Sequence, residues 1–116
     1  MCIRDSSGNV EAKLALDVYV HAARHWLGAY FAQLNGLDAL VFTAGIGENR
    51  AGIRAAICSE LDRLGILLDT EKNEAAQAEE TVISADDSPV KVMVIPTNEE
   101  LVVAREVKRY LDHRRN

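Results

Sequence analysis

Cysteine is scarce: only Cys2 and Cys58 occur in 116 residues, too few for a disulfide framework and not in the C-x-x-C spacing of a zinc or redox site. A reducing, cytoplasmic compartment fits them. Two prolines and seven glycines leave no proline-rich linker or low-complexity tract. No apolar run approaches the roughly 20 residues of a membrane span, and Arg4 and Asp5 have no apolar segment behind them, so neither a membrane partner nor a secretory signal is expected. Positive charge is also short. Thirteen Lys and Arg stand against 18 Asp and Glu, a formal charge of −5, and the basic cluster is confined to Arg114–Arg115, which excludes a binder of nucleic-acid backbone. A chain this long buries roughly 65% of its unfolded surface. That supports one core, so a complete two-domain enzyme is not expected.

What is present is patterned. From Val10 to Leu34 the chain holds no proline and one glycine, and Lys13, Asp17, His21 and Arg24 recur at helical spacing. They form a narrow wet stripe on a long helix. The rest of its circumference, Leu14, Val18, Trp26 and Tyr30 included, is apolar and calls for neighbours on several sides. Asn35-Gly36 ends it. Ala39–Phe42 is a short apolar run of β-formers, the mark of a strand buried on both faces. The glycine loop Gly45-Ile46-Gly47-Glu48-Asn49 follows. Ile53, Ile57, Leu61 and Leu64 then line one face of a helix that Gly65 can end in the left-handed conformation.

Asp69 to Glu80 reads as a surface segment in which Asn73 can cap a short helix, and Thr81–Ser84 as an edge strand. Val90 to Ile95 is a second β-rich run, with Val90, Val92 and Val94 on one face. Pro96-Thr97-Asn98-Glu99-Glu100 opens a last helix, one side of which carries Leu101, Ala104, Val107 and Leu111. Two strand-loop-helix units argue for an α/β layer with parallel strands. Both polar loops then emerge at the carboxyl edge of the sheet, where such sheets bind ligands.

Each loop has two readings. Gly45 and Gly47 permit positive φ and close approach of a ligand, yet the segment matches neither standard nucleotide fingerprint and equally suits a tight turn capped by Asn49. In the second loop Thr97 as N-cap with Glu100 three residues on forms a capping box. Glu99 is free of that duty. It either holds Mg²⁺ or complements the helix dipole. His21 and His25 have metal-ligand spacing but lack a third ligand and read as solvated helix residues. Trp26, Tyr30 and Phe31 read as core or subunit contact, and Cys58 as a small buried hydrophobe.

Asp38 to Asn49, followed much later by Ile95-Pro96-Thr97-Asn98-Glu99-Glu100-Leu101, resembles the C-terminal part of the acetate kinase family. Ala15-Leu16-Asp17 and Leu27-Gly28-Ala29-Tyr30 extend the likeness, which runs from about Asn9 to the last helix. The resemblance implies part of the C-terminal lobe of an actin-like, sugar-kinase and Hsp70-type ATPase fold, with strand-loop-helix units on a mixed sheet. It implies that Gly45, Ile46, Gly47, Glu48 and Asn49 line the adenosine pocket for ATP and that Glu99 binds Mg²⁺. The activity implied is transfer of the γ-phosphoryl group of ATP to acetate, giving ADP and acetyl phosphate, in a homodimer. Propionate kinase is the close alternative, and a stand-alone nucleotide-binding or interaction module the distant one. The family's catalytic arginines and histidine, its phosphate-binding segment and its N-terminal lobe have no counterpart here, so a C-terminal fragment inactive alone is expected, with no catalytic residue assigned. Residues 1–6 do not resemble the family and read as a non-native leader before a lobe segment over 7–116.

Overall fold

In the computed structural model, which describes residues 8–77 and 79–114, Asn9 opens the first helix. Its side-chain oxygen accepts from the N–H groups of Glu11 and Ala12 at 3.0 and 3.2 Å, satisfying two donors that a helix start leaves free. Helix α1 runs over Val10–Leu34. It stops where expected: Asn35 turns left-handed at φ 59° and the Gly36 N–H returns to the Phe31 carbonyl at 2.9 Å. The expected leader boundary at Ser6 lies outside the described residues.

Three strands follow, β1 (Ala39–Phe42), β2 (Thr81–Val82) and β3 (Lys91–Val94). They form one sheet in the order β1-β3-β2, with β1 and β3 parallel and β2 antiparallel to β3. The mixed sheet and the parallel pairing of the two main strands are as expected, and β2 is an edge strand. Leu40 pairs with Val92 and Phe42 with Val94. These side chains share the face on which Ile57, Cys58, Ile66 and Ile83 complete the core. The opposite face of β1 is open, with Val41 43% exposed. Double burial of β1 is therefore corrected: the described elements cover one face of the sheet, and period-2 geometry leaves Ala39 and Val41 on the other.

Between β1 and β2 lie three short helices, α2 (Ala44–Asn49), α3 (Ala51–Cys58) and α4 (Thr70–Ala75). The long helix face expected from Ile53 to Leu64 is broken. Helix α3 ends at Cys58, Glu60 takes φ 56°, and Asp62–Leu64 is a single 3-10 turn closed by Gly65 at φ 80°. Asp69, not Asn73, caps α4, accepting from the Lys72 N–H at 2.9 Å. Asn73 instead points into the interior, 2% exposed.

Helix α5 (Glu99–Arg114) forms as expected. Its apolar side, with Leu101, Val107 and Leu111, stays exposed among the described residues. Helix α1 is likewise covered on one side only. Val20, Ala23 and Leu27 touch the core, whereas Leu14, Val18, Trp26 and Tyr30 are exposed. Trp26 and Tyr30 thus lie outside the core, their rings 6.2 Å apart. Among the described residues no helix is long and apolar enough to cross a membrane.

Candidate functional site

Both polar segments leave the sheet at the same edge. The last inter-strand bond runs from the Ile95 N–H to the Phe42 carbonyl at 2.9 Å, and beyond it the chain departs into α2 on one strand and toward α5 on the other. Gly45 to Asn49 is not a loop: it is the body of α2. The positive φ expected of its glycines falls on Ala44, at 59°. The two glycines also differ. A Cβ on Gly47 would lie 3.3 Å from the Phe42 carbonyl carbon, whereas a Cβ on Gly45 would meet nothing within 4 Å. Gly47 lets α2 rest on the end of β1, and Gly45 faces open space. Asn49 caps nothing downstream. Its Nδ2 donates to the Gly45 carbonyl at 2.9 Å, and Arg50, with no side-chain cap, separates α2 from α3.

The two segments meet through Glu48. Its Oε1 accepts from the Thr97 N–H at 2.9 Å and from the Thr97 hydroxyl at 3.3 Å. This corrects the expected capping box, because the N–H that Glu100 was to take is occupied by Glu48. The cap of α5 is Asn98, whose Oδ1 accepts from the Leu101 N–H at 2.9 Å. The carboxylates of Glu99 and Glu100 are left without hydrogen bonds or ion pairs among the described residues.

A hollow of about 420 Å³ lies between, lined by Gly45, Glu48 and Thr97 to Glu100. Of the expected site residues it gathers Gly45, Glu48 and Glu99. Asn49 borders a second opening, a cleft of about 870 Å³ between α1 and α3 where Leu16, Val20 and Ile53 sit beside Lys13 and Asp17. Ile46 and Gly47 border neither. No cluster of three or more His, Cys, Asp or Glu side chains able to hold a metal occurs among the described residues. Mg²⁺, however, is commonly held by one or two carboxylates together with water and substrate phosphates. An unpaired Glu99 at the rim of the hollow fits that donor set.

The residue that sequence patterning passed over is Arg54. It is 1% exposed, and its Nη1 donates to the carbonyls of Gly47 and Glu48 at 2.8 and 2.9 Å. Nε and Nη2 donate to the side-chain and main-chain oxygens of Asn73, both at 2.7 Å. Burial lowers its pKa, opposed by Cys58. A sign was available: Arg54 shares a helix face with Ile57 and Cys58, three and four residues on. Arg24 also departs from expectation. Rather than lying in a solvated stripe, its Nη1 donates to the carbonyls of Ile57 and Ser59 at 2.9 and 2.6 Å, which ends α3 where the chain breaks. Cys58 beside it is buried as expected, and desolvation pushes its thiol from 9.0 up to about 11, opposed by Arg24 and Arg54. His21 and His25 are both exposed on α1.

The sequence matches the model of the acetokinase family over residues 2–105. An acetate kinase of Alkaliphilus metalliredigens (strain QYMF) is 54% identical over 101 residues, covering 87% of this chain and 25% of that protein. An acetate kinase of Leifsonia xyli subsp. xyli is 55% identical over 100 residues, again 25% of its length. Among solved structures, Porphyromonas gingivalis acetate kinase superposes with a TM-score of 0.79 at 39% identity, over 91% of this chain and 27% of that one. A propionate kinase from Francisella tularensis subsp. tularensis SCHU S4 gives 0.74 at 44% identity, over 88% and 26%. The chain thus spans about a quarter of the length of the curated relatives it matches. The match of the family model over residues 2–105, on a chain with a mixed sheet, shows that the chain belongs to the acetokinase family.

Proposed function

We propose that this chain supplies, within an acetate kinase, the part of the site that receives ATP and Mg²⁺ for phosphoryl transfer to acetate, yielding ADP and acetyl phosphate. The observation that carries the reading is the hydrogen bond that the Thr97 N–H donates to the Glu48 carboxylate, which joins the two motif segments around one hollow. Gly45 leaves that hollow free of a side chain at its α2 wall. The cleft at Asn49 sets the apolar surface of Leu16, Val20 and Ile53 among the polar groups of Lys13, Asp17 and Arg50, a mixture that suits a planar base with polar edges. Helix α2, about 9 Å long, borders the hollow at Gly45 and Glu48 and the cleft at Asn49, and the reading lays the adenosine half of the nucleotide along Gly45–Asn49 with its phosphates toward Glu99. A Mg²⁺ held by Glu99 would neutralise charge on the transferring phosphoryl group. Acetate rather than propionate is favoured by the curated relatives named above, and a cytoplasmic homodimer is part of the same proposal.

The test uses a full-length acetokinase carrying this segment. Gly45→Val adds a side chain at a position where a Cβ meets nothing within 4 Å, and should raise the KM for ATP by about tenfold with little change for acetate. An unchanged KM for ATP, or a loss confined to acetate, would refute the placement.

A further inference from the structure

Resting on that placement of ATP, we propose that Arg54 is a positioning residue for the nucleotide, acting through the carbonyls of Gly47 and Glu48. Helix α2 has six residues and no side-chain cap at Thr43, too short to hold its own orientation. Three tertiary contacts do so: the seat of Gly47 on Phe42, the Glu48 carboxylate on Thr97 and the guanidinium of Arg54 on the carbonyls of Gly47 and Glu48. Arg54 makes no ion pair with a carboxylate among the described residues, and its donors go to oxygens of Gly47, Glu48 and Asn73. A buried cation without a counter-charge is a poor way to fill a core, and a methionine would fill the same volume. What the planar fork adds is a grip on two successive carbonyls of α2, which a lysine ammonium cannot reproduce while also reaching Asn73.

The other side of the fork is held as firmly. Asn73 on α4 receives both Nε and Nη2, and its own Nδ2 donates to the Ala51 carbonyl at 2.9 Å, so α2, α3 and α4 meet at one guanidinium. Glu48 is gripped at its carbonyl by Arg54 and binds Thr97 with its side chain. A rotation of α2 would therefore move the Gly45 wall of the hollow and the start of α5 together.

The experiment compares Arg54→Lys, Asn73→Ala and Gly45→Val in a full-length acetokinase carrying this segment, measuring Tm, kcat and both KM values. Arg54→Lys should raise the KM for ATP by about fivefold or more, leaving the KM for acetate within about twofold. A merely structural role would lower Tm and the fraction of active enzyme without splitting the two KM values, and that result overturns the proposal. Should Arg54→Lys fail to fold, Asn73→Ala decides. It keeps the guanidinium and the Nη2 bond to the main-chain oxygen of residue 73 but frees Nε and releases the Ala51 carbonyl, and a rise of about twofold to threefold in the KM for ATP is expected; an unchanged value overturns the proposal. Gly45→Val separates the two levels. If it too leaves the KM for ATP unchanged, the nucleotide does not lie at α2; if it raises that KM while Arg54→Lys does not, only the role of Arg54 fails.

Discussion

The Glu48 carboxylate accepts both the N–H and the hydroxyl of Thr97, so a side chain from α2 does what Glu100 was placed to do in a capping box. Glu48→Ala should destabilise the chain by about 1 kcal/mol, read from the urea midpoint. Glu48→Gln keeps an acceptor and should recover most of that loss. Equal losses in both variants would show that charge, not the acceptor geometry, matters.

The two adjacent glutamates separate from each other and from Asn98. Asn98→Ala removes the cap of α5 and should cost about 1 kcal/mol, whereas Glu100→Ala, which breaks no bond, should stay within about 0.5 kcal/mol. Glu99→Ala should leave the fold intact and, in a full-length acetokinase carrying this segment, lower kcat by several kcal/mol in barrier terms while weakening Mg²⁺ activation. A normal kcat with unchanged Mg²⁺ dependence would remove the metal role from Glu99.

Arg24 joins α1 to the end of α3 through the carbonyls of Ile57 and Ser59. Arg24→Met retains most of the aliphatic stem and loses these bonds, so a loss of about 1–3 kcal/mol is expected. Thermal unfolding followed by circular dichroism measures it. A loss below about 0.5 kcal/mol would place Arg24 back among ordinary surface charges.

Cys58 sets an alkaline limit. Its folded pKa, about 11, lies above the ordinary 9.0, so the folded state keeps a proton that the unfolded state releases. Stability from this source is intact below pH 9 and falls as pH rises toward 11, by at most about 1.4 kcal/mol per pH unit. Cys58→Ala should flatten the decline of Tm between pH 9 and 11. A parallel decline in both proteins would assign the loss to other groups. At neutral pH the buried thiol should resist alkylation until the chain unfolds.

Much of the architecture follows from local rules. Asn35-Gly36 ends α1 because asparagine and glycine tolerate positive φ better than other residues, and the alternation of Val90, Val92 and Val94 places β3 at the centre of the core. The two motif segments were legible as well, since a strand ending in Gly45 to Asn49 and another ending in Pro96 to Glu100 must open at one edge if the strands are parallel. What local patterning misread were the polar side chains. Thr97 with Glu100, Asn49 before α3 and Asn73 in α4 all sit at spacings that allow caps, and in each case a partner distant in sequence or a different neighbour took the hydrogen bond.

The sequence by itself determined the element order, the stop signals, the parallel pairing of the main strands and the motif that marks the family, because these depend on backbone propensity and on periodicity within a few residues. Only the tertiary structure decided that Glu48 reaches Thr97, that Arg54 and Asn73 tie α2 to α3 and α4, and that β1 is covered on one face. A hydrogen bond between groups 19 or 49 residues apart depends on where the whole chain places them, and a buried polar group accepts whichever partner that placement brings within about 3 Å.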